Sequence, residues 1–197
     1  GLFRKDFDDP IELAKVQAQN DIFTWFNAEE AELEGIEWDI SQELRFADWF
    51  GIESEGWDGS IWNNFSVNAN LSYIDSEVTL LGSGETAADV PLTGGRQIAR
   101  LFSNERPITG QSDWLGNLLL TYQDDNRGIL ATFAYNYTGE RVVLVGAESS
   151  PDIIEEARGR VDVLFRYTTE AINTNIELEL KAANLFDSEV EWTQGGL

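Results

Sequence analysis

The chain lacks three residue types that carry much of protein chemistry: it has no cysteine, no methionine and no histidine. Without cysteine it has no disulfide framework and no thiol nucleophile, and without histidine it can form neither a Ser-His-Asp triad nor a histidine zinc site. Basic residues are also scarce, with 13 Lys and Arg against 36 Asp and Glu and a formal net charge of -23. Such a chain repels phosphates, so a nucleic-acid partner is excluded as a first interpretation.

Long hydrophobic runs are missing as well, because no apolar stretch approaches the roughly 20 residues of a transmembrane helix. Aromatic residues nevertheless make up 12% of the 197 residues, with seven Trp, while the mean hydropathy is -0.28. This combination fits strands that are apolar on one face only. No signal peptide is visible, and a chain that starts at Gly1 without methionine is expected to be a piece of something longer.

Strict alternation of apolar and polar residues is the strongest pattern present. Alternating runs occupy residues 65–73, 118–123, 129–145, 161–168 and 176–182. A period of two predicts β-strands. The polar positions carry amides, hydroxyls and charges deep into each run, so that face is wet, whereas the apolar face is continuous.

A soluble antiparallel sheet also alternates, but it turns its apolar face toward a core. Strands of this length with a charged second face are typical of a transmembrane barrel, apolar toward lipid and polar toward a wet lumen. A long connection at 78–110 and short turns at 123–128 and 169–173 match the asymmetry of such barrels. We therefore predict an all-β fold, an antiparallel transmembrane β-barrel, of which this chain supplies a partial barrel of about seven strands.

Two less regular segments leave alternatives open. Residues 1–13 are predicted to be the end of a strand followed by a loop broken at Pro10, with a short helix over Ile11–Gln19 as the alternative. Arg45–Asn63 is rich in Trp and Gly and is predicted to be a connection beside a membrane interface, where Trp is favoured. In a soluble protein the same Trp side chains would form core or a sugar-stacking surface.

Several short motifs are weak. Gly82–Ala87 mimics a dinucleotide fingerprint, but Asp89 and Pro91 leave no room for the helix that this motif requires. Asp124–Asn126 lacks the remaining spacing of a calcium loop, so a plain Asx-type turn is favoured. Carboxylate pairs such as Glu155–Glu156 could run glycoside hydrolysis, although chance proximity among 36 acidic residues explains them. We expect no catalytic residue, no metal site and no cofactor.

Five segments in order carry a resemblance to a known family. They are 27–37 with Gly35-Ile36-Glu37, 70–77, 101–122, 133–156 with Tyr135-Asn136-Tyr137-Thr138-Gly139, and Asn184-Leu185-Phe186-Asp187. On these segments the chain resembles the C-terminal barrel portion of a TonB-dependent outer-membrane receptor. The resemblance implies that residues 1–197 are part of one barrel domain of about 22 strands. The plug, the segment that TonB grips, the earlier strands and the final strand would then lie outside this sequence.

The resemblance also implies a function. It predicts an active transporter in the outer membrane of a Gram-negative bacterium, not an enzyme, which takes up a scarce nutrient such as a siderophore-type metal chelate, cobalamin or a glycan. Its partners would be the lipid bilayer, the nutrient and the TonB complex. The lumen-facing candidates, chosen by alternation, are Asp162, Arg166, Glu177, Glu179 and Lys181. The loop candidates for an anionic ligand are Arg96, Arg100 and Arg106, with solvated loop charge as the favoured alternative.

Two other classes compete with this interpretation. The first is a soluble, secreted β-sandwich, either a carbohydrate-binding module using its Trp residues or a hydrolase. A sandwich needs one dry face on every strand, and the polar positions of residues 64–72 and 177–181 argue against that. The second is a passive porin, which would differ from the receptor by having no plug.

Overall fold

The fold, taken from a computed structural model, is nearly all β. The structure describes residues 1–17, 22–52, 59–83, 104–146 and 151–194. The strands are β1 Leu2–Asp8, β2 Ile11–Gln17, β3 Ile22–Asn27, β4 Glu30–Leu44, β5 Phe65–Thr79, β6 Glu105–Arg106, β7 Trp114–Asp124, β8 Ile129–Thr138, β9 Arg141–Leu144, β10 Ile153–Glu155, β11 Arg158–Ala171, β12 Thr174–Ala182 and β13 Trp192–Gln194. One short helix, α1, covers Phe46–Phe50, and a 3-10 turn covers Gly59–Asn63.

One large antiparallel sheet organises the molecule. Its strands follow the order β1-β4-β5-β7-β8-β11-β12, and β6 pairs with the end of β5. Strands that are neighbours in the sheet are also successive long strands in the chain, which is the up-and-down order of a barrel wall. The prediction of a partial antiparallel barrel of about seven strands is thus confirmed. The small sheet β2-β3 lies in the connection between β1 and β4, and in the small sheet β13-β10-β9 strand β13, which follows β12, pairs with the connection between β8 and β11.

The register aligns side chains of one kind into rows across the sheet. One row joins Ile40, Ala69, Leu118, Tyr135 and Val161 on five adjacent strands. Because side chains alternate along each strand, every second residue from these positions lies on the same side of the sheet. We call this side the apolar face.

The apolar face carries large side chains that remain substantially exposed among the described residues. Trp38 is 47% exposed, Leu71 41%, Phe133 38% and Leu178 51%. Among the described residues no second sheet packs on this face, so the β-sandwich alternative loses the dry core that it requires. None of the described helices is long and apolar enough to cross a membrane.

The two faces exchange character partway along β5. From Phe65 to Tyr73 the odd-numbered residues are apolar, but beyond Tyr73 the buried residues are the even-numbered Ile74, Ser76 and Val78. Strand β4 does the same, since Ala31 lies opposite Val78 and is buried. The two parts of each strand therefore lie in different surroundings: the apolar side chains are partly exposed in one part and buried in the other.

Beyond this reversal the sheet is covered by a small core, which we call the cap. It comprises the β2–β3 hairpin, Ala31, residues 78–81 and Ile108, and its buried members are Phe26, Ala28, Ala31, Val78, Leu80 and Leu81. A buried ion pair joins the hairpin to β6: Arg106 Nη2 lies 2.8 Å from Glu12 Oε2, and the two side chains are 4% and 7% exposed. Thr109 Oγ1 completes the cluster by donating to Glu12 at 3.0 Å.

The sheet has two different ends. Residues 9–29, 80–113 and 139–157 connect strands at the end that holds the cap, which we call the loop end. At the opposite end, the turn end, residues 125–128 and 172–173 make tight turns. Gly128 is required in the first turn, because its φ is +67° and a Cβ there would collide with the backbone carbonyl of Thr168.

Three predicted boundaries were wrong. Residues 11–17 form strand β2, neither loop nor helix, because pairing with β3 supplies the backbone hydrogen bonds that a lone segment lacks. The predicted strand 129–145 breaks at Gly139 into β8 and β9, and β9 pairs with β10 in another sheet. The predicted loop 78–110 begins later, because β5 continues to Thr79 and pairs with Glu105–Arg106.

Candidate functional site

The second face of the sheet, which we call the polar face, is the candidate site. Its central row joins Asp39, Asn70, Asn117, Asn136 and Arg160 on five adjacent strands. The residues in each row are cross-strand neighbours, about 5 Å apart. The row thus places a continuous line of polar groups across the sheet.

Hydrogen bonds link the amides of this row. Asn117 Nδ2 donates to Asn70 Oδ1 at 2.8 Å, and Asn136 donates in turn to Asn117. One row nearer the turn end, Ser41 Oγ donates to Asn68 Oδ1 at 2.7 Å. On β5, β7 and β8 the described polar face carries no ionised side chain between residues 66–72, 115–123 and 130–136. This neutral stretch, which we call the amide ladder, offers donors and acceptors without charge.

Charges flank the amide ladder on β11 and β12. Arg166 Nη2 lies 2.7 Å from Glu179 Oε2, and its Nε lies 3.7 Å from Glu177 Oε1. These side chains are between 38% and 56% exposed, so the charges remain accessible to water. The structure thereby brings three of the predicted lumen-facing residues into one ion-paired group on the polar face.

The other two lumen-facing candidates lie nearby on the same face. Asp162 accepts from Arg160 Nε at 3.0 Å and from the backbone N–H of Asn184 at 2.7 Å. Its carboxylate therefore also holds the turn that follows β12. Lys181 lies opposite Leu164 in the register, which puts it on the polar face as well.

The loop arginines have different fates. Arg106 is buried in the cap, where its guanidinium contacts Glu12 and donates to Thr109 Oγ1 at 2.6 Å. Burial keeps this cation away from any ligand on the surface, so its role as a ligand contact is a prediction that the geometry does not favour. Arg96 and Arg100 lie outside the described residues, as does most of the Gly82–Ala87 motif.

Acidic side chains lie close together at the loop end of the sheet. Asp113 precedes β7 beside Asp75, and desolvation together with the Asp75 charge raises the pKa of the Asp113 carboxyl. Elsewhere, Asp124 accepts from the backbone N–H of Arg127 at 3.0 Å and pairs with its guanidinium, in agreement with a polar turn at that position. Within the described ranges no group of His, Cys, Asp and Glu is arranged to hold a metal ion.

Sequence reasoning missed two features of the polar face. It noted the Asn and Ser positions of β5 but did not select the amide ladder as a site, because the ladder exists only once β5, β7 and β8 are in register. It also treated the face as uniformly polar, whereas Leu115, Leu119, Leu130 and Leu164 lie on it. The Leu118-Leu119-Leu120 run was the available signal, since three successive apolar residues must place one on the polar face.

These observations define the class of protein. The main antiparallel sheet has a largely exposed apolar face, a polar face with paired charges and a reversal of the two faces at the strand ends, and these are the features of the wall of a transmembrane β-barrel. The family model described as "TonB dependent receptor-like, beta-barrel" matches residues 1–185. The chain belongs to this family, whose members are outer-membrane receptors and transporters of Gram-negative bacteria rather than enzymes.

The other two comparisons add nothing to this identification, since no curated protein and no solved structure matches the chain. Placement in the outer membrane and a role in receptor-type transport therefore rest on the family and on the two faces of the sheet.

Proposed function

We propose that this chain forms part of the barrel wall of a receptor that takes up a scarce nutrient with energy delivered through TonB. The nutrient would be a metal chelate of the siderophore type, cobalamin or a glycan. The observation that carries the proposal is the polar face, where neutral amides and ion-paired side chains line one side of strands whose other side is apolar.

The polar face would contribute in two ways. The Arg166–Glu179 group supplies charges that are accessible to water and partly neutralised by ion pairing. The amide ladder supplies hydrogen-bonding groups for neutral parts of a passing ligand. Residues 1–197 would be the C-terminal portion of one barrel domain, and contact with TonB would be made by a segment outside this sequence.

The TonB requirement separates this proposal from a passive porin. Uptake of a radiolabelled ferric chelate, cobalamin and an oligosaccharide would be measured in cells with and without the receptor gene. Each strain would also be tested with TonB removed. The proposal expects uptake of one nutrient to be lost equally in both deletions. Receptor-dependent uptake that persists without TonB would establish a passive channel instead.

A localisation experiment tests the membrane class itself. An antibody against residues of this chain should detect, in the outer-membrane fraction, a heat-modifiable band much larger than the 22.1 kDa of the chain. A soluble species of 22.1 kDa would contradict the barrel assignment.

A further inference from the structure

The connection between β4 and β5 departs from the asymmetry of the rest of the barrel. It occupies residues 45–64 at the turn end, where the other connections of the main sheet are the tight turns at 125–128 and 172–173. In the barrel class, short turns lie on the periplasmic side. A long connection on that side, with a helix at Phe46–Phe50, therefore needs a reason.

The helix in this connection is folded onto the apolar face. The Phe46 ring lies 5.8 Å from the Phe65 ring, which in turn lies 4.9 Å from the Tyr122 ring. Phe65 and Tyr122 are paired at the end of the apolar rows. Helix α1 is therefore outside the barrel, continuous with the surface that meets lipid.

Two of the three aromatic side chains of α1 are largely exposed, whereas the third, Phe46, packs on Phe65. Trp49 is 54% exposed and Phe50 is 73% exposed, and both rings contact Phe46 at 5.8 and 6.4 Å. Ile52 just after the helix and Trp62 in the 3-10 turn are 40% and 45% exposed. Phe46, Trp49 and Phe50 share one side of the helix by their spacing of three and four residues.

The opposite side of the helix is polar and held in place. Asn63 accepts from the Ala47 N–H at 3.0 Å through Oδ1 and donates from Nδ2 to Asp48 Oδ1 at 3.0 Å. This double contact fixes the orientation of α1 relative to β5. The exposed aromatic side is thus a built surface.

We propose that α1 is an interfacial anchor that lies in the headgroup region of the periplasmic leaflet, with Trp49 and Phe50 inserted among zwitterionic phospholipids. Trp and Phe on one side of a short amphipathic helix suit this boundary. The neighbouring charges are Glu43, Arg45, Asp48 and Asp125, an acidic balance that disfavours anionic headgroups. The inference rests on the proposed function, because it requires the barrel to be in a membrane.

Nitroxide labels on single cysteines test the anchor, and the absence of native cysteine in this chain keeps the background low. The whole receptor, with any cysteines elsewhere replaced, would carry Phe50→Cys, Asp48→Cys, Leu71→Cys or Asn126→Cys. Each variant would be reconstituted in vesicles of phosphatidylethanolamine and phosphatidylcholine. The ratio of oxygen to nickel-chelate accessibility then reports whether a label is in lipid or in water.

The anchor predicts a ratio several-fold higher at position 50 than at position 48, two residues away on the polar side. Position 71 should report lipid and position 126 water.

Equal, water-like ratios at 48, 50 and 126 with lipid at 71 would overturn the anchor and leave the barrel intact. Shielding of position 50 from both reagents would mean that protein covers it, which also overturns the anchor. A water-like label at 71 would instead refute the barrel placement and the proposed function. Addition of phosphatidylglycerol should not raise the ratio at 50, and a rise would contradict the headgroup assignment.

Discussion

The two halves of β5 place their apolar side chains on opposite faces of the same strand. In the membrane half, Phe65–Tyr73, the apolar side chains face away from the polar face and no core covers them, whereas in the outer half, 74–79, the apolar side chains Ile74 and Val78 face the opposite side and are buried, Val78 within the cap. The membrane half spans eight residue steps of about 3.3 Å, or about 26 Å along the strand, which suits the thin apolar band of an outer-membrane barrel once the strand tilts. Which face of the strand is apolar therefore depends on its surroundings, lipid in the membrane half and a protein core in the outer half.

The acidic residues mark the same boundary. Glu34 lies opposite Asp75 and Glu32 opposite Glu77, on the side of the sheet where Trp38 and Leu71 lie nearer the turn end. Directly opposed carboxylates are destabilising in a low dielectric. Arg4 offsets part of this repulsion at 2.6 Å from Glu32 and 4.0 Å from Glu34. These strand ends therefore belong in water, beyond the lipid.

The largest effect is expected in the outer half, from Arg106→Ala. The substitution leaves Glu12 buried without its partner, which should destabilise the cap by about 3–5 kcal/mol. Hydrogen exchange should show the β2–β3 hairpin losing protection while the membrane strands keep theirs. Arg4→Ala is the matched control, because its ion pair is more than half exposed and should contribute at most about 1 kcal/mol. Equal protection in the two variants would contradict a buried structural role for Arg106.

In the membrane half, a charge should discriminate between the faces. Ala69→Arg places a cation at the middle of the apolar face and should cost about 2–4 kcal/mol of barrel stability in lipid. Asn70→Arg, one residue along on the polar face, should cost much less, because its side chain meets water. Urea titration of the receptor refolded into vesicles measures both. A reversed order would exchange the assignment of the two faces.

The same truncation in the two halves should separate packing from lipid contact. Val78 is completely buried in the cap, so Val78→Ala should cost about 2–3 kcal/mol through lost transfer energy and the cavity left behind. Val67→Ala on the apolar face should cost about 1 kcal/mol, since lipid chains fill the space. Local exchange rates for the cap and urea titration for the barrel provide the two values. A similar loss at both sites would mean that the outer core is no better packed than the lipid surface.

The smallest effect on stability is expected at the polar face. Arg166→Ala removes an ion pair in which both side chains are more than a third exposed, and it should change unfolding free energy by about 0.5 kcal/mol or less. If Arg166 contacts the nutrient, uptake should fall while the amount of receptor in the outer membrane stays constant. Arg166→Lys is the control that retains charge without the two-pronged contact to Glu179. Unchanged uptake in both variants would remove Arg166 from the ligand path.

Much of the wall could be predicted from the sequence, because alternation is a local property. The alternation within residues 65–73 and 161–168 is enough to predict a strand in each run, and both are strands with the expected faces. The cap could not be predicted, since Glu12 and Arg106 are 94 residues apart and nothing local pairs them. In the sequence, the reversal at Tyr73-Ile74 is visible only as two adjacent apolar residues that interrupt the alternation. The burial of Val78 shows that the alternation continues beyond them, with the apolar residues on the other face.

The candidate site divides in the same way. Alternation placed Asp162, Arg166, Glu177, Glu179 and Lys181 on one face, and the register shows that they share it. The pairing of Arg166 with Glu179 and the line of Asn70, Asn117 and Asn136 needed the cross-strand register, which alternation leaves open.

The sequence by itself determined the strand class, the two chemically different faces and the family, because each follows from the order of residues along short segments. Only the tertiary structure decided where the apolar face ends, which arginine is buried and on which side of the barrel α1 lies. The physical reason is that these properties depend on hydrogen-bonded register and on burial between segments far apart in the chain. Neither quantity is contained in any single stretch of it.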